Sequence, residues 1–233
     1  LKNIDILEKL QKEKNLQIFI AYCHRFIPSV KRLKEIINKN TYGRVCSINM
    51  SWETFLPDWH VYEDYRNFYM AKKSMGGGAL LDESHGIDLL QYIFGDICEV
   101  SADVRTISHL EIDSDDWAAI LFKMKNGIYG KANFDLFRRD PKISMEILTE
   151  KTTIIWDRID HQIKIFDPEK KNYLIEKFTK EDIMSMYDLE TIHFINCLKG
   201  KEQSLIPLKE GIKTMNVINA SFKSSEKNIK IFL

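Results

Sequence analysis

The sequence predicts an α+β fold, with helices packed on one face of a mainly antiparallel, open-faced sheet. Two observations carry this expectation: the order of patterns along the chain, and the strength of its apolar content. Helices with two strands come first, a run of short strands follows from Val100 to about Glu176, and two helices close the chain. With 233 residues, 44% hydrophobic and 11% aromatic, the chain has enough apolar side chain for a proper core and lies outside the disordered class. That length suits one large domain or two small ones.

Each element has its own signal. Ile4, Leu7 and Leu10 stand three apart with charges between them, which predicts a short amphipathic helix over 4–13. The near-continuous apolar run Gln17–Tyr22 reads as a buried strand. Pro28 suits a first helical position, with Val30, Leu33, Ile36 and Ile37 as the inward stripe and Thr41-Tyr42-Gly43 as the break. Val45–Trp52 alternates as a strand. Residues 53–75 lack periodicity, and a connection this long is either functional or disordered. Trp59, Tyr62, Tyr65, Phe68 and Tyr69 argue against disorder. A helix is expected from about Gly78 to Phe94, stopped by Gly95.

Asn126-Gly127 between Trp117–Met124 and Ile128–Phe134 is a strong hairpin signal. Ile143–Leu148, Thr152–Trp156, Gln162–Phe166 and Tyr173–Ile175 continue the meander. Helices over about 181–199 and 208–224 and a short strand, Ile229–Ile231, end the chain. No internal repeat or low-complexity segment interrupts this order.

Composition excludes several classes. The 34 basic and 34 acidic residues cancel, which removes the electrostatic footprint of a nucleic-acid binder. No apolar run approaches the ~20 residues of a membrane span. Cys23, Cys46, Cys98 and Cys197 lie far apart with no CxxC pair, so reduced thiols in a cytoplasmic protein are expected. A sheet with one free face commonly meets a partner there, which suggests a homodimer or tetramer. The start Leu1-Lys2-Asn3 is neither a signal peptide nor a start codon, as in a trimmed chain.

Chemistry concentrates at Gly76–Asp88. Three glycines before a helix let the backbone approach a ligand, and free amides there favour an electron-rich group. Asp82, His85 and Asp88 recur every third residue and share one side of the expected helix. A histidine between carboxylates in an apolar setting suits an acid/base catalyst. Spacing alone leaves a purely structural role equally open. No metal is expected, because only one histidine is local and zinc or iron sites want a second nitrogen or sulfur ligand.

The segment Pro57–Tyr69 mixes flat rings with polar forks, as a carbohydrate site does. Trp59, His60, Tyr65, Arg66 and Tyr69 are its candidates, with Arg66 as a bidentate anion contact. An interface loop would have the same composition. Arg25 follows the apolar run at a position that could border a site, although a structural arginine is the more common case. Arg138 and Arg139 read as solvated loop charges, and His193 as structural.

Taken together, these residues resemble a known family. Ala21-Tyr22-Cys23-His24-Arg25-Phe26-Ile27-Pro28 is similar to the GYxxRFxP segment of the glucose–fructose oxidoreductase/inositol dehydrogenase/MocA (Gfo/Idh/MocA) family. Pro57–His60, Glu63–Arg66, Tyr69, Gly76–Asp88 and Phe94-Gly95 resemble a bacterial subgroup of it, and the likeness spans essentially the whole chain. The resemblance implies oxidation or reduction of a hydroxyl on a sugar, cyclitol or related glycan precursor with NAD or NADP. It puts the catalytic histidine at His85 and its neighbouring aspartate at Asp82, although many members separate the two by four positions rather than three. It also implies that residues 1–233 form the substrate-binding, catalytic and dimerisation domain without the N-terminal dinucleotide-binding domain. None of the ten glycines gives GxGxxG, and the family's Glu-Lys-Pro lysine would lie upstream of Leu1. The chain alone is therefore expected to bind the dinucleotide poorly and to be inactive. Two rivals stand beside this reading: a non-catalytic sugar-binding or dimerisation module, and a metal-dependent lyase or hydrolase using His85 and Asp82.

Overall fold

The structure is a computed structural model, and it describes residues 3–233. Helix α1 (Ile4–Glu13) forms where the three-residue apolar repeat predicts it, and it buries none of its residues. The apolar run after it departs from expectation. Gln17–Tyr22 forms no strand: Phe19 alone makes a bridge, to Pro207, and the Ile20 amide donates to the Ile206 carbonyl. The run lies against the helix layer rather than the sheet. A Cβ on Gly211 would come within 3.0 Å of the Ile20 side chain. Of the run only Tyr22 is buried, and no sheet edge is there to pair with it.

A 3₁₀ turn, Cys23–Phe26, leads into α2 (Pro28–Asn38), which buries Val30, Leu33 and Ile36. Strand β1 (Val45–Phe55) follows, and the connection after it is ordered as four 3₁₀ turns: Leu56–Asp58, Tyr65–Asn67, Tyr69–Ala71 and Lys73–Met75. The expected single helix over 78–94 is two, α3 (Ala79–Asp82) and α4 (Ser84–Phe94). They are separated at Glu83, whose ψ of 23° leaves the helical range. This break decides the geometry of the site.

Strands β2 (Ile97–Arg105), β3 (Trp117–Met124), β4 (Tyr129–Asp135), β5 (Phe137–Thr149), β6 (Thr153–Asp157), β7 (Gln162–Asp167) and β8 (Asn172–Lys177) come next. Helices α5 (Lys180–Leu198) and α6 (Leu208–Lys227) follow, and β9 (Ile231–Phe232) ends the chain. The β3–β4 turn uses Asn126-Gly127 with Gly127 at φ 88°, a conformation that favours glycine. Helix α5 opens on a capping box between Thr179 and Asp182.

The nine strands form one sheet in the order β8-β7-β6-β5-β1-β4-β3-β2-β9. Only β1 and β4 pair in parallel; the other pairs are antiparallel. Alternation sets the two faces. Ala118, Ile120, Phe122 and Met124 of β3 are buried toward the helices, whereas Leu121 between them is 63% exposed. The core lies between this inner face and α2, α4 and α6, with Trp156 of β6 donating its indole N–H to Ser29 of α2 at 2.9 Å. The other face carries no helix among the described residues.

Candidate active site

The β1 end, the α3–α4 break and the turn after β6 converge on a cavity of about 670 Å³. Its wall includes Cys23, His24, Trp52, Thr54, Trp59, Tyr69, Asp82, Glu83, His85, Arg158 and Tyr187. Three features of the glycine-led segment place these side chains. Gly77 lies against the turn Tyr69–Ala71, and any Cβ would sit 2.3 Å from the Tyr69 and Met70 carbonyl oxygens. Gly78, at φ 124°, packs against Asp115, whose Oδ2 accepts from the Leu80 amide at 3.0 Å. Gly86 rests on Phe134 of β4, so α4 lies close to the sheet. Gly77, Gly78 and Gly86 thus serve close packing, against backbone at Gly77 and against side chains at the other two.

His85 begins α4 with no hydrogen-bond partner on Nδ1, and it lies among rings rather than carboxylates. The His24 ring is 4.5 Å away between centroids, Tyr22 meets His85 edge-on at 5.5 Å, and Trp52 stacks at 6.2 Å. Burial, with the nearby positive charge of Arg158, pushes the His85 imidazole down to about 4. Burial also holds His24 well below the usual histidine range, with the charges of His85 and Arg158 adding to it. Both rings are neutral at physiological pH.

The break at Glu83 separates Asp82 from His85, while Asp88, on the same helix as His85, is taken up by Arg25. Asp82 accepts a hydrogen bond from the Tyr69 hydroxyl and makes none with His85. Asp88 is fully buried and holds Arg25 in a bidentate pair at 2.6 and 2.9 Å. Burial pushes the Asp88 carboxyl up, to about 6, against the pull of Arg25, so it is ionised at neutral pH. Arg25 also reaches Glu210 at 3.1 Å and the Leu205 carbonyl at 2.8 Å. With its guanidinium occupied and only 2% exposed, Arg25 ties α4 to α6 and does not reach the cavity.

Among the other expected residues, Trp59 and Tyr69 line the cavity, and His60, Tyr65 and Arg66 do not. Arg66 is bound on the outside of the connection by Asp64 and Glu111, and the Tyr65 hydroxyl accepts from the Glu111 amide. His60 packs against Phe68. These three order the connection, because its charges find one another before they find the cavity.

Four cavity residues escaped the sequence reading. Cys23 and His24 occupy the two positions between Tyr22 and Arg25, which a 3₁₀ turn swings toward His85. Glu83 is the break residue itself, 1% exposed; burial lifts its carboxyl well above the usual range, with Thr54 as a hydrogen-bonding neighbour. Arg158 follows β6, its amide donating to the Ile143 carbonyl. The strand-end reasoning applied to Arg25 fits Arg158 instead. The donor atoms of Cys23, His24 and His85 lie within 4.8 Å of one another. The single local histidine that argued against a metal is therefore two, brought together by folding.

An open, mainly antiparallel sheet backed by helices on one face thus presents a neutral histidine on the wall of the cavity. Residues 30–155, more than half of the chain, match the GFO/IDH/MocA C-terminal domain, and the chain belongs to that family. It is 24% identical over 182 residues to "Oxidoreductase P35" of Formosa agariphila, covering 76% of this chain and 54% of that one. It is 29% identical over 97 residues to levoglucosan dehydrogenase of Pseudarthrobacter phenanthrenivorans, covering 41% of this chain and 24% of that one. The chain thus spans about half the length, or less, of the curated relatives it matches. In fold it resembles the WlbA dehydrogenase of Bordetella pertussis in complex with NADH and UDP-GlcNAcA, with TM-score 0.79, 20% identity, and coverage of 98% and 68%. It also resembles a levoglucosan dehydrogenase in complex with NADH and levoglucosan, with TM-score 0.83, 17% identity, and coverage of 98% and 69%.

Proposed function

We propose that this chain is the substrate domain of a NAD(P)-dependent oxidoreductase acting on a hydroxyl of a sugar or related polyol. The observation that carries the reading is a neutral, hydrogen-bond-free His85 on the wall of a cavity that also presents Trp59, Tyr69 and Asp82. Trp59 offers a flat face to the C–H side of a sugar ring, and the Tyr69–Asp82 pair offers polar atoms to its hydroxyls. The sugar-oxidising names among the relatives support the same reading.

In the oxidative direction, His85 accepts the proton from the hydroxyl oxygen as the carbinol carbon becomes a carbonyl carbon. A nicotinamide, held outside these residues, would supply the hydride acceptor for that carbon. The reverse reaction returns the proton from the His85 imidazolium to the carbonyl oxygen. Because burial keeps His85 neutral above about pH 4, the base is ready without prior deprotonation. Asp82 fixes the Tyr69 hydroxyl on the cavity wall, a positioning role in place of direct pairing with His85. The ten glycines include no GxGxxG, so these residues fit the sugar end of the reaction and supply no pyrophosphate cradle. Four free cysteines, and no helix among the described residues long and apolar enough to cross a membrane, accord with a cytoplasmic setting. The uncovered sheet face is the proposed contact for a homodimer.

Joining the chain to a dinucleotide-binding domain of the same family and following nicotinamide reduction over a panel of sugars tests the reading. Turnover that falls by about 10²–10⁴ in His85→Asn, with sugar binding retained, is the expected result. Intact dimers that bind sugar but never turn over would favour a non-catalytic module instead. A second reading rests on the Cys23–His24–His85 cluster, a soft N/S donor set suited to zinc. Stoichiometric zinc in purified protein, lost in Cys23→Ser, would replace the dehydrogenase reading with metal chemistry.

A further inference from the structure

We infer that the cavity takes a sugar carrying an anionic group on the reacting ring, a carboxylate or a phosphate, and that Arg158 binds that group. The inference rests on the sugar reading above and narrows its substrate class.

The eight arginines of the chain separate cleanly by partner. Arg25, Arg32, Arg44, Arg66, Arg105 and Arg138 each hold a carboxylate within 3.3 Å. Arg139 lies over the Phe55 ring at 4.3 Å. Arg158 has no ion pair and no side-chain hydrogen bond among the described residues, and its Nε is buried without any partner. A guanidinium removed from water normally sits opposite a negative charge, because desolvating it alone is costly. Here the open side of the group faces the cavity.

The acidic neighbours do not supply the missing charge. Asp82 is engaged by Tyr69, and Glu83 makes no ion pair with Arg158 and keeps Oε1 unpartnered. The position of the charge narrows the ligand further. Arg158 lines the same cavity wall as His24 and His85. An anion it binds therefore sits beside the reacting hydroxyl, on the same sugar ring, rather than at the end of a long substituent. The planar fork suits two oxygens of a carboxylate or phosphate at once, which lysine cannot reproduce.

Titrating the chain with D-glucuronate, D-glucose 6-phosphate and D-glucose by calorimetry tests this directly. At least one anionic sugar should bind about tenfold or more tightly than glucose, and the preferred one separates carboxylate from phosphate. Arg158→Gln should lower the anionic sugar to the affinity of glucose, and Arg158→Lys should recover only part of it. Arg158→Gln should also melt at or above the wild-type temperature, since it removes an uncompensated buried charge. Glucose binding as tightly as the anionic sugars, or Arg158→Gln retaining the preference, overturns the inference. So does the absence of binding by all three. Turnover of neutral sugars by the domain-completed enzyme would meanwhile leave the dehydrogenase reading standing, so the two failures are distinguishable.

Discussion

His85 and His24 are two neutral imidazoles in van der Waals reach of each other, and their burial couples folding to pH. In the unfolded chain each would titrate near ~6.5. Burial pushes His85 down to about 4 and lowers His24 in the same sense. Between those limits the unfolded chain binds more protons, so their contribution to stability is complete above the window and is lost as pH falls through it. Asp88, Asp135 and Glu83, which burial pushes up, act in the opposite sense, so a difference measurement isolates the histidine. Denaturant stability of His85→Gln relative to wild type should rise as pH drops from 6.5 toward 4. A difference that is flat with pH would contradict the neutral His85. Arg25 permits a second test at this scale. Arg25→Met leaves Asp88 buried without its partner, and should cost about 3–5 kcal/mol by chemical denaturation. An exposed, substrate-facing arginine would cost far less and would affect binding instead.

At the scale of elements, the α3–α4 break is what separates structure from chemistry in this segment. A continuous helix would have aligned Asp82, His85 and Asp88 along one side. With Glu83 out of the helical range, Asp82 turns to Tyr69, whereas His85 and Asp88, both on α4, meet the aromatic cluster and Arg25. Helix α4 then sits on the sheet through Gly86, where a Cβ would lie 2.7 Å from Cε1 of Phe134 and 3.1 Å from Cε of Met50. Phe134 is fully buried and cannot move aside. Gly86→Ala should therefore destabilise by about 1–3 kcal/mol and shift His85, which lies one residue away. Thermal melting reads the first effect. In the domain-completed enzyme, a fall in kcat larger than any change in KM reads the second.

For the whole molecule, the sheet separates the cavity from its uncovered face. One face holds the helices and the core, and the cavity lies where the inner ends of β1 and β5 meet the turn after β6. The other face carries Leu121 and Tyr129, 63% and 56% exposed, beside Ser101, Asn49 and Lys131. If this face is the homodimer contact, Leu121→Lys should shift the protein toward monomer in light scattering while its circular dichroism stays native. An unchanged mass would move the contact elsewhere.

Much of this was legible before folding, and the exceptions share one cause. Periodicity located α1, α2, α5 and α6 and the strands β3, β4 and β6–β8 to within a few residues, because a repeat of 3.6 or 2 reports which side of an element meets the core. Strand β5 instead begins at Phe137, well before the expected Ile143. The same logic failed at Gln17–Tyr22, where only Tyr22 is buried and no strand partner is present. It failed again at Glu83, where a single backbone angle turned Asp82 away from His85. The aromatic connection was legible as ordered, and two of its five proposed residues reach the cavity. The remaining three are held by local charge pairs and stacking that composition cannot rank.

The sequence by itself determined the fold class, the family and the identity of the central histidine. Each of these is written in local patterns: periodic apolar residues, a glycine-led helix start, and the short motifs around Tyr22 and His85. Only the tertiary structure decided which charges face the cavity. Arg25 lies 63 residues from Asp88 and is captured by it, whereas Arg158, with no pattern to mark it, is left unpaired beside His85. A charge's role depends on what lies within a few ångströms of it, and that distance is set by the fold rather than by position along the chain.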